Sequence, residues 1–166
     1  MKTLFIMCGC PGSGKSYIVK KKFLPHAHYS YVSRDEVRFD VVEEDEDYFS
    51  HEKEVFRLFV AEIVHDLKNP IIDCVVADAT HINWASRKKL INAIGKELPL
   101  DGQLNIVPVV VKCSLEKAIT RNAARNGRTC VPEKAVRDMY ARFQDPKNDP
   151  FEYDGIMYVD GGHDDM

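Results

Sequence analysis

Apolar and polar positions alternate along this chain in two patterns. Short, almost wholly apolar runs predict strands at Thr3–Cys8, Tyr29–Ser33, Ile71–Ala77, Ile106–Cys113 and Gly155–Val159. Runs with so few polar positions are typical of strands that are covered on both faces of a sheet.

The segments between these strands have the period of amphipathic helices. The clearest carries apolar residues at i, i+3 and i+4 spacing: Phe56, Phe59, Val60, Ile63, Val64 and Leu67. Further helices are predicted at about 15–24, shortly after Ser33, at about 83–98, from the N-cap Ser114 to near Gly127, and at about 132–144. Strands that alternate with helices through right-handed crossovers predict a three-layer α/β/α domain around a parallel sheet of four to five strands.

Composition narrows the class of protein. The 166 residues fit one domain, and no apolar run approaches the roughly 20 residues of a membrane span, so we expect no membrane partner. Five cysteines without an export signal are typical of reduced thiols in a cytoplasmic protein. A net charge of −3 argues against a protein that coats nucleic acid, but it leaves open an enzyme that grips a strand end.

The segment between the first strand and the first helix is a complete Walker A sequence, G-x-x-x-x-G-K-S. Its predicted nucleotide-binding residues are Gly9, Gly12, Ser13, Gly14, Lys15 and Ser16. Backbone N–H groups of such a loop surround phosphates, the lysine reaches the β- and γ-phosphates, and the serine hydroxyl ligates Mg²⁺. The sequence therefore predicts ATP and Mg²⁺ as donor substrate and cofactor.

Two carboxylates are predicted to lie at the carboxyl ends of other strands, where open α/β sheets bind ligands. Asp35 and Arg38 are three residues apart on a short helix, so their side chains share a face. A carboxylate can orient or deprotonate an acceptor hydroxyl, while a guanidinium binds an anionic group of the acceptor. Asp78 ends the third strand, where it would bind Mg²⁺ through water or orient Arg38.

Three arginines, Arg121, Arg125 and Arg128, surround the end of the helix after the fourth strand. Arginines on a mobile segment over a P-loop can clamp the transferring phosphoryl group, so residues 121–131 are a predicted lid. Arg121 and Arg125 are one helical turn apart, so we expect them to face the same way.

Other functions of a P-loop fit less well. A GTPase would need an N-K-x-D signature after the fourth strand, and Lys147-Asn148-Asp149 does not fit it. A nucleotide-sensing module explains the P-loop but leaves Asp35 and Arg38 without a role. A kinase for a small-molecule hydroxyl, such as a nucleoside or a sugar, remains an alternative.

Five segments occur in a characteristic order: Gly9–Ser16, Ser33–Arg38, Asp78–Asn83, Arg121–Arg125 and Val131–Tyr140. Together they resemble the kinase domain of the bacteriophage polynucleotide kinase/phosphatase family over nearly the whole chain. The R-D-x-x-R and D-x-T/N-x-x-N pair is far more specific than a Walker A sequence alone.

The resemblance implies a 5′-hydroxyl polynucleotide kinase acting on DNA or RNA. It implies that Asp35 is the general base, that Arg38 contacts the phosphate of the acceptor, that Asp78 supports them and that Arg125 contacts the donor phosphates. One extra residue before Pro132 makes Arg128 a second candidate for the role of Arg125. The Asp78-Ala79-Thr80-His81 segment departs from the commoner D-T-N or D-A-T-N.

The resemblance also bears on organisation and partners. We expect one kinase domain over residues 1–166 and no phosphatase domain, because Asp45-Glu46-Asp47 lacks the threonine of a D-x-D-x-T motif. A ligase of the same repair pathway is an expected partner. The expected location is the cytoplasm, or the host cytoplasm for a phage-encoded protein.

Overall fold

The apolar runs form a sheet of five strands, and every pairing in it is parallel. A computed structural model describes residues 1–26, 28–99, 102–127 and 130–162. The strands are β1 (Lys2–Cys8), β2 (Tyr29–Ser33), β3 (Cys74–Asp78), β4 (Leu104–Lys112) and β5 (Met157–Asp160), in the spatial order β2-β3-β1-β4-β5. The predicted parallel sheet is confirmed.

Helices connect the strands. They are α1 (Lys15–Ile18), α2 (Arg34–Val41), α3 (Glu52–Lys68), α4 (Trp84–Glu97), α5 (Leu115–Ala123) and α6 (Glu133–Ala141). A π-helical turn, Val19–Phe23, extends α1, and a 3₁₀ turn covers Pro146–Asn148. Ser33, Asn83 and Ser114 cap α2, α4 and α5 by accepting a hydrogen bond from the backbone N–H three residues on.

Both faces of the sheet are buried, as the near-continuous apolar runs predict. Leu4 and Ile6 point to one face, where they pack with Phe59 of α3 and Leu90 of α4. The alternate residue Met7 points to the other face, which is covered by α1 and its π-helical extension. These contacts give the three layers of an α/β/α domain.

Three predicted boundaries are wrong by three or more residues. The third strand begins at Cys74 rather than Ile71, because Ile71 lies in a turn, donates its N–H to the Asn69 side chain and is 67% exposed. Helix α5 ends at Ala123, before the predicted Gly127, and α6 ends at Ala141, before the predicted residue 144.

The strand order brings three chain segments to one edge of the sheet. Since β3 lies between β1 and β2, its last residue, Asp78, is paired with Met7 on one side and with Ser33 on the other. The loop after β1, the start of α2 and the end of β3 are therefore neighbours.

Candidate active site

The loop between β1 and α1 has a shape that requires glycine. Gly12 and Gly14 have φ angles of 83° and 104°. A Cβ on Gly12 would lie 2.2 Å from the Ala118 carbonyl oxygen, too close for any side chain. The Walker A sequence is thus packed tightly between β1 and α5, with α1 beginning directly after it.

Lys15, Ser16 and Asp78 lie together at the start of α1. The Lys15 ammonium donates to the carbonyl oxygens of Gly9 (2.8 Å) and Cys10 (3.0 Å). The Ser16 hydroxyl donates to Asp78 Oδ2 at 3.3 Å, and the Tyr31 hydroxyl donates to the same oxygen at 2.6 Å. Tyr31 was not predicted as a site residue.

Burial shifts the pKa values of Asp78 and Lys15 in opposite directions. Burial raises the pKa of the Asp78 carboxyl, and the Lys15 ammonium opposes that change. Burial also lowers the pKa of Lys15, and Asp78 opposes it. A hydroxyl and a carboxylate are oxygen ligands of the kind that Mg²⁺ prefers, so Ser16 and Asp78 fit the predicted metal.

Asp35 and Arg38 lie on the first turns of α2, as predicted. Arg38 Nη1 donates to Asp35 Oδ1 at 2.7 Å. The Arg38 side chain is 7% exposed, whereas the Asp35 side chain is 53% exposed. The guanidinium is therefore held rigidly inside the site, and the carboxylate faces its open side.

Two residues that the sequence did not reveal fix this pair. Glu52, at the start of α3, accepts hydrogen bonds from Arg38 Nε and Nη2 through Oε1 and from Arg34 Nη2 through Oε2. The Tyr48 hydroxyl donates to Asp35 Oδ1 at 2.6 Å and accepts from Arg38 Nη1 at 3.1 Å. Burial lowers the pKa of Arg38, but Tyr48 and Glu52 more than offset it, so the net change is upward.

Residues predicted for the donor side and residues predicted for the acceptor side line one cleft of about 340 Å³. Of the predicted site residues it contains Lys15, Ser16, Asp35, Arg38, Asp78 and Arg125. Tyr48, Phe49, Glu52 and Phe56 form part of its wall.

Arg121 and Arg125, two of the predicted lid arginines, lie in different places. Arg121 does not line this cleft, since its Nη1 donates to the backbone oxygens of Ser13 (3.5 Å) and Gly161. Arg125 lies beyond the end of α5, so the expected helical register of the two arginines is absent. Arg128 lies outside the described residues.

A buried asparagine in the last turn of α5 binds a distant part of the chain. The Asn122 side chain donates to the Val131 carbonyl at 2.7 Å and accepts from the Val131 N–H at 3.1 Å. These two bonds hold Val131 against α5, and Arg125 lines the cleft.

The family of the chain follows from its sequence match. Residues 4–146 match the family described as the AAA domain, AAA_33. This chain belongs to that family. No curated protein sequence matches the AAA_33 chain.

Solved structures resemble this AAA_33 chain at low sequence identity. A chain of the Pnkp1/Rnl/Hen1 RNA repair complex is 20% identical with a TM-score of 0.69, and the match covers 92% of this chain and 47% of that one. A fungal RNA kinase is 13% identical with a TM-score of 0.66, covering 98% and 76%. A gluconokinase from Sinorhizobium meliloti 1021 is 18% identical with a TM-score of 0.56, covering 97% and 83%.

These likenesses show the fold of the AAA_33 chain, which is kinase-like with a nucleotide-binding P-loop. The chain spans about half the length of the protein that it matches in the repair complex. A fungal RNA kinase and a gluconokinase share the fold, so the acceptor and the narrower resemblance to bacteriophage enzymes stay predictions.

His81 stands where the commoner motif has asparagine. Its φ of 40° is a left-handed conformation that asparagine tolerates well. The side chain is buried, its Nδ1 lies 2.9 Å from the Met7 carbonyl oxygen, and burial lowers its pKa to about 4. A neutral His81 therefore donates from Nδ1 to the end of β1.

The described residues of the AAA_33 chain contain neither a membrane-spanning helix nor a cluster of metal ligands. None of the helices there has the length and apolar character to cross a bilayer. Within the same residues, His, Cys, Asp and Glu side chains form no group of three that could hold a metal ion.

Proposed function

We propose that this protein transfers the γ-phosphoryl group of ATP to the 5′-hydroxyl end of DNA or RNA. The observation that carries the proposal is the shared cleft, in which the exposed carboxylate of Asp35 and the buried guanidinium of Arg38 lie with Lys15 and Ser16. A kinase for a hydroxyl acceptor needs a phosphate-binding loop and an acceptor-binding carboxylate on one cavity.

On the donor side, the reaction depends on positioning and charge. Lys15 would leave its loop carbonyls and bind the β- and γ-phosphates, and Arg125 would stabilise the charge on the transferring group. Ser16 and Asp78 would hold Mg²⁺, which when bound neutralises charge on the donor phosphates.

On the acceptor side, Asp35 would take the proton of the attacking 5′-hydroxyl. Its Oδ1 accepts hydrogen bonds from Tyr48 and Arg38, and these two donors fix the carboxylate. No hydrogen bond of Oδ2 is seen within the described part of the chain, so Oδ2 is the oxygen that we assign to the acceptor. Arg38 would bind the phosphate on the 3′ side of the terminal nucleoside.

A small-molecule hydroxyl is the second candidate acceptor. A volume of about 340 Å³ is within the range of small-molecule sites, and a gluconokinase shares the fold. The fungal RNA kinase and the RNA repair complex support the polynucleotide acceptor, because their TM-scores of 0.66 and 0.69 exceed the 0.56 of the gluconokinase.

The deciding experiment supplies labelled ATP with alternative acceptors. We expect label transfer to 5′-hydroxyl DNA or RNA oligonucleotides, little transfer to nucleosides or gluconate, and none with Lys15→Ala. Transfer to a nucleoside or sugar that exceeds transfer to every oligonucleotide would move the function to the second candidate.

For residues 1–166 we propose kinase activity without phosphatase activity. Purified protein with a 3′-phosphate oligonucleotide and Mg²⁺ should release no inorganic phosphate. A ligase that seals the phosphorylated ends would be a partner in the same pathway.

A further inference from the structure

Two cations on the acceptor side of the cleft have no role in the proposed transfer. These are Arg34 and Lys89, and both lie beside the Phe56 ring. Arg34 Cζ is 5.6 Å and Lys89 Nζ is 4.4 Å from the ring centroid. Since Arg34 begins α2, Phe56 lies in α3 and Lys89 lies in α4, three helices converge on this place.

Both cations retain unused hydrogen-bond donors. Arg34 Nη2 pairs with Glu52 Oε2 at 2.8 Å, but Arg34 Nε is buried without a hydrogen-bond partner. In the described ranges, no carboxylate lies within ion-pair distance of Lys89 Nζ, which rests on the Phe56 ring. A buried donor without a partner requires an explanation, and a bound anionic group supplies one.

The charge of the cleft differs from that of the whole chain. Five cationic side chains and three carboxylates line it, which leaves a local net charge of +2, whereas the chain carries −3. The cations are Lys15, Arg34, Arg38, Lys89 and Arg125, and the carboxylates are Asp35, Glu52 and Asp78. Such a cleft concentrates anionic ligands in a protein that otherwise repels them.

The two guanidiniums of α2 are arranged in sequence along the cleft. Arg34 and Arg38 are one helical turn apart and bind the two oxygens of the same Glu52 carboxylate. If Arg38 binds the first phosphate of an acceptor strand, the next cation along the cleft is Arg34. Lys89 of α4 lies beyond Arg34, on the same Phe56 ring.

We propose that Arg34 and Lys89 form a subsite for the second phosphate of a single-stranded polynucleotide acceptor, counted from its 5′ end. The inference rests on the proposed function and gives it a substrate class, because a nucleoside or sugar has no group that reaches this place. Phe56 holds the Lys89 ammonium in the cleft by a cation–π contact.

The test compares Lys89→Ala with Lys88→Ala on defined acceptors. Lys88 is the matched control, since it is the adjacent residue of α4, rests on the Phe151 ring at 4.8 Å and does not line the cleft. The acceptors are nucleoside 3′-phosphate, a 5′-hydroxyl trinucleotide, and the same trinucleotide with an uncharged methylphosphonate as its second linkage.

We expect Lys89→Ala to raise KM for the trinucleotide by about 2–5-fold, as for loss of one exposed charge contact. The methylphosphonate should raise KM of the parent more than it raises KM of Lys89→Ala, since only the contact with Arg34 is left to lose in that variant. The slope of log KM against log salt should fall by about 0.7 in Lys89→Ala. Lys88→Ala should match the parent in each measurement.

The outcomes separate the two proposals. If the trinucleotides are phosphorylated but Lys89→Ala and Lys88→Ala have equal KM values, or if the methylphosphonate affects Lys89→Ala as much as the parent, the subsite is refuted and the kinase function stands. If neither trinucleotides nor nucleoside 3′-phosphate accept phosphoryl groups, the proposed function falls and the subsite falls with it.

Discussion

Glu52→Gln is the substitution that tests most directly how the acceptor side is built. The Glu52 carboxylate accepts three hydrogen bonds from Arg34 and Arg38, and its replacement keeps the shape of the side chain but removes the charge. Two guanidiniums would then lie next to each other without the anion between them. The substitution should make the Arg38 side chain less firmly held and should also lower the free energy of unfolding.

The magnitude follows from the burial of the three side chains. Removing one partner of a fully buried ion pair costs about 3–5 kcal/mol, whereas exposed pairs contribute less than about 1 kcal/mol. Arg38 is 7% exposed, but the Glu52 side chain is 37% exposed, so water screens part of the interaction. We therefore expect a loss of about 1–2 kcal/mol in the free energy of unfolding, or about 3–6 °C in Tm for a domain of this size.

Urea unfolding at pH 7 and steady-state kinetics would measure the two effects. The KM for the oligonucleotide acceptor should rise by about 5-fold or more, as about 1 kcal/mol implies, while the KM for ATP stays unchanged because Glu52 makes no contact with the P-loop.

Glu54→Gln is the matched control. Glu54 lies on the same first turn of α3, but its contact with Arg57 is at 4.0 Å and both side chains are more than half exposed. Its removal should change stability by less than about 0.5 kcal/mol. Equal unfolding midpoints and equal acceptor KM values for the two variants would show that Glu52 does not hold Arg38.

Three further predictions concern single residues. Asp35→Asn should mainly lower kcat. Arg38→Ala should mainly abolish the preference for nucleoside 3′-phosphate over nucleoside. Kinetics on both acceptors would separate these roles, and an unchanged preference in Arg38→Ala would contradict the assignment of Arg38. Arg125→Ala should reduce kcat by about 10²–10³-fold if this arginine stabilises the transferring phosphoryl group, and a near-normal single-turnover rate would remove it from that role. His81, whose pKa is about 4 instead of 6.5, stays neutral in the fold while the unfolded chain takes up a proton, so stability is lost as the pH falls from 6.5 toward 4. Between pH 7 and 4.5 this loss is about 2 kcal/mol and should be absent from His81→Asn in urea unfolding, after the pH dependence common to both proteins is subtracted.

Local motifs and strand periodicity were sufficient to predict where the Walker A residues and Asp78 lie. The Walker A residues and Asp78 follow strands that the apolar runs reveal, and the carboxyl ends of neighbouring parallel strands must meet. The position of Asp35 was predictable for the same reason, since it lies two residues after the end of β2. Each of these predictions needs only a strand and the residues at its carboxyl end.

Contacts between distant elements were not predictable in this way. Glu52 is an ordinary acidic residue in the first helical turn of α3, where the helix dipole alone would favour it. Its contact with Arg38 depends on how α2 packs on α3, and Tyr48 reaches Asp35 from a loop whose sequence indicates only solvation. The helical register predicted for Arg121 and Arg125 is wrong because α5 ends at Ala123, and the hydrogen bonds of Asn122 with Val131 have no signature in the sequence.

The net charge of the whole chain differs in sign from the charge of the cleft that would bind the ligand. A value of −3 speaks against a surface that binds nucleic acid along its length, and that reasoning concerns the average over the whole chain. The cleft has the opposite sign, because α2 and α4 turn Arg34, Arg38 and Lys89 inward. An enzyme that holds one strand end needs a few cations around its reacting hydroxyl and benefits from an acidic exterior, since the rest of the strand is then released readily. A polynucleotide acceptor is therefore compatible with the acidic composition, because the cations lie in the cleft and the excess of acidic residues lies elsewhere.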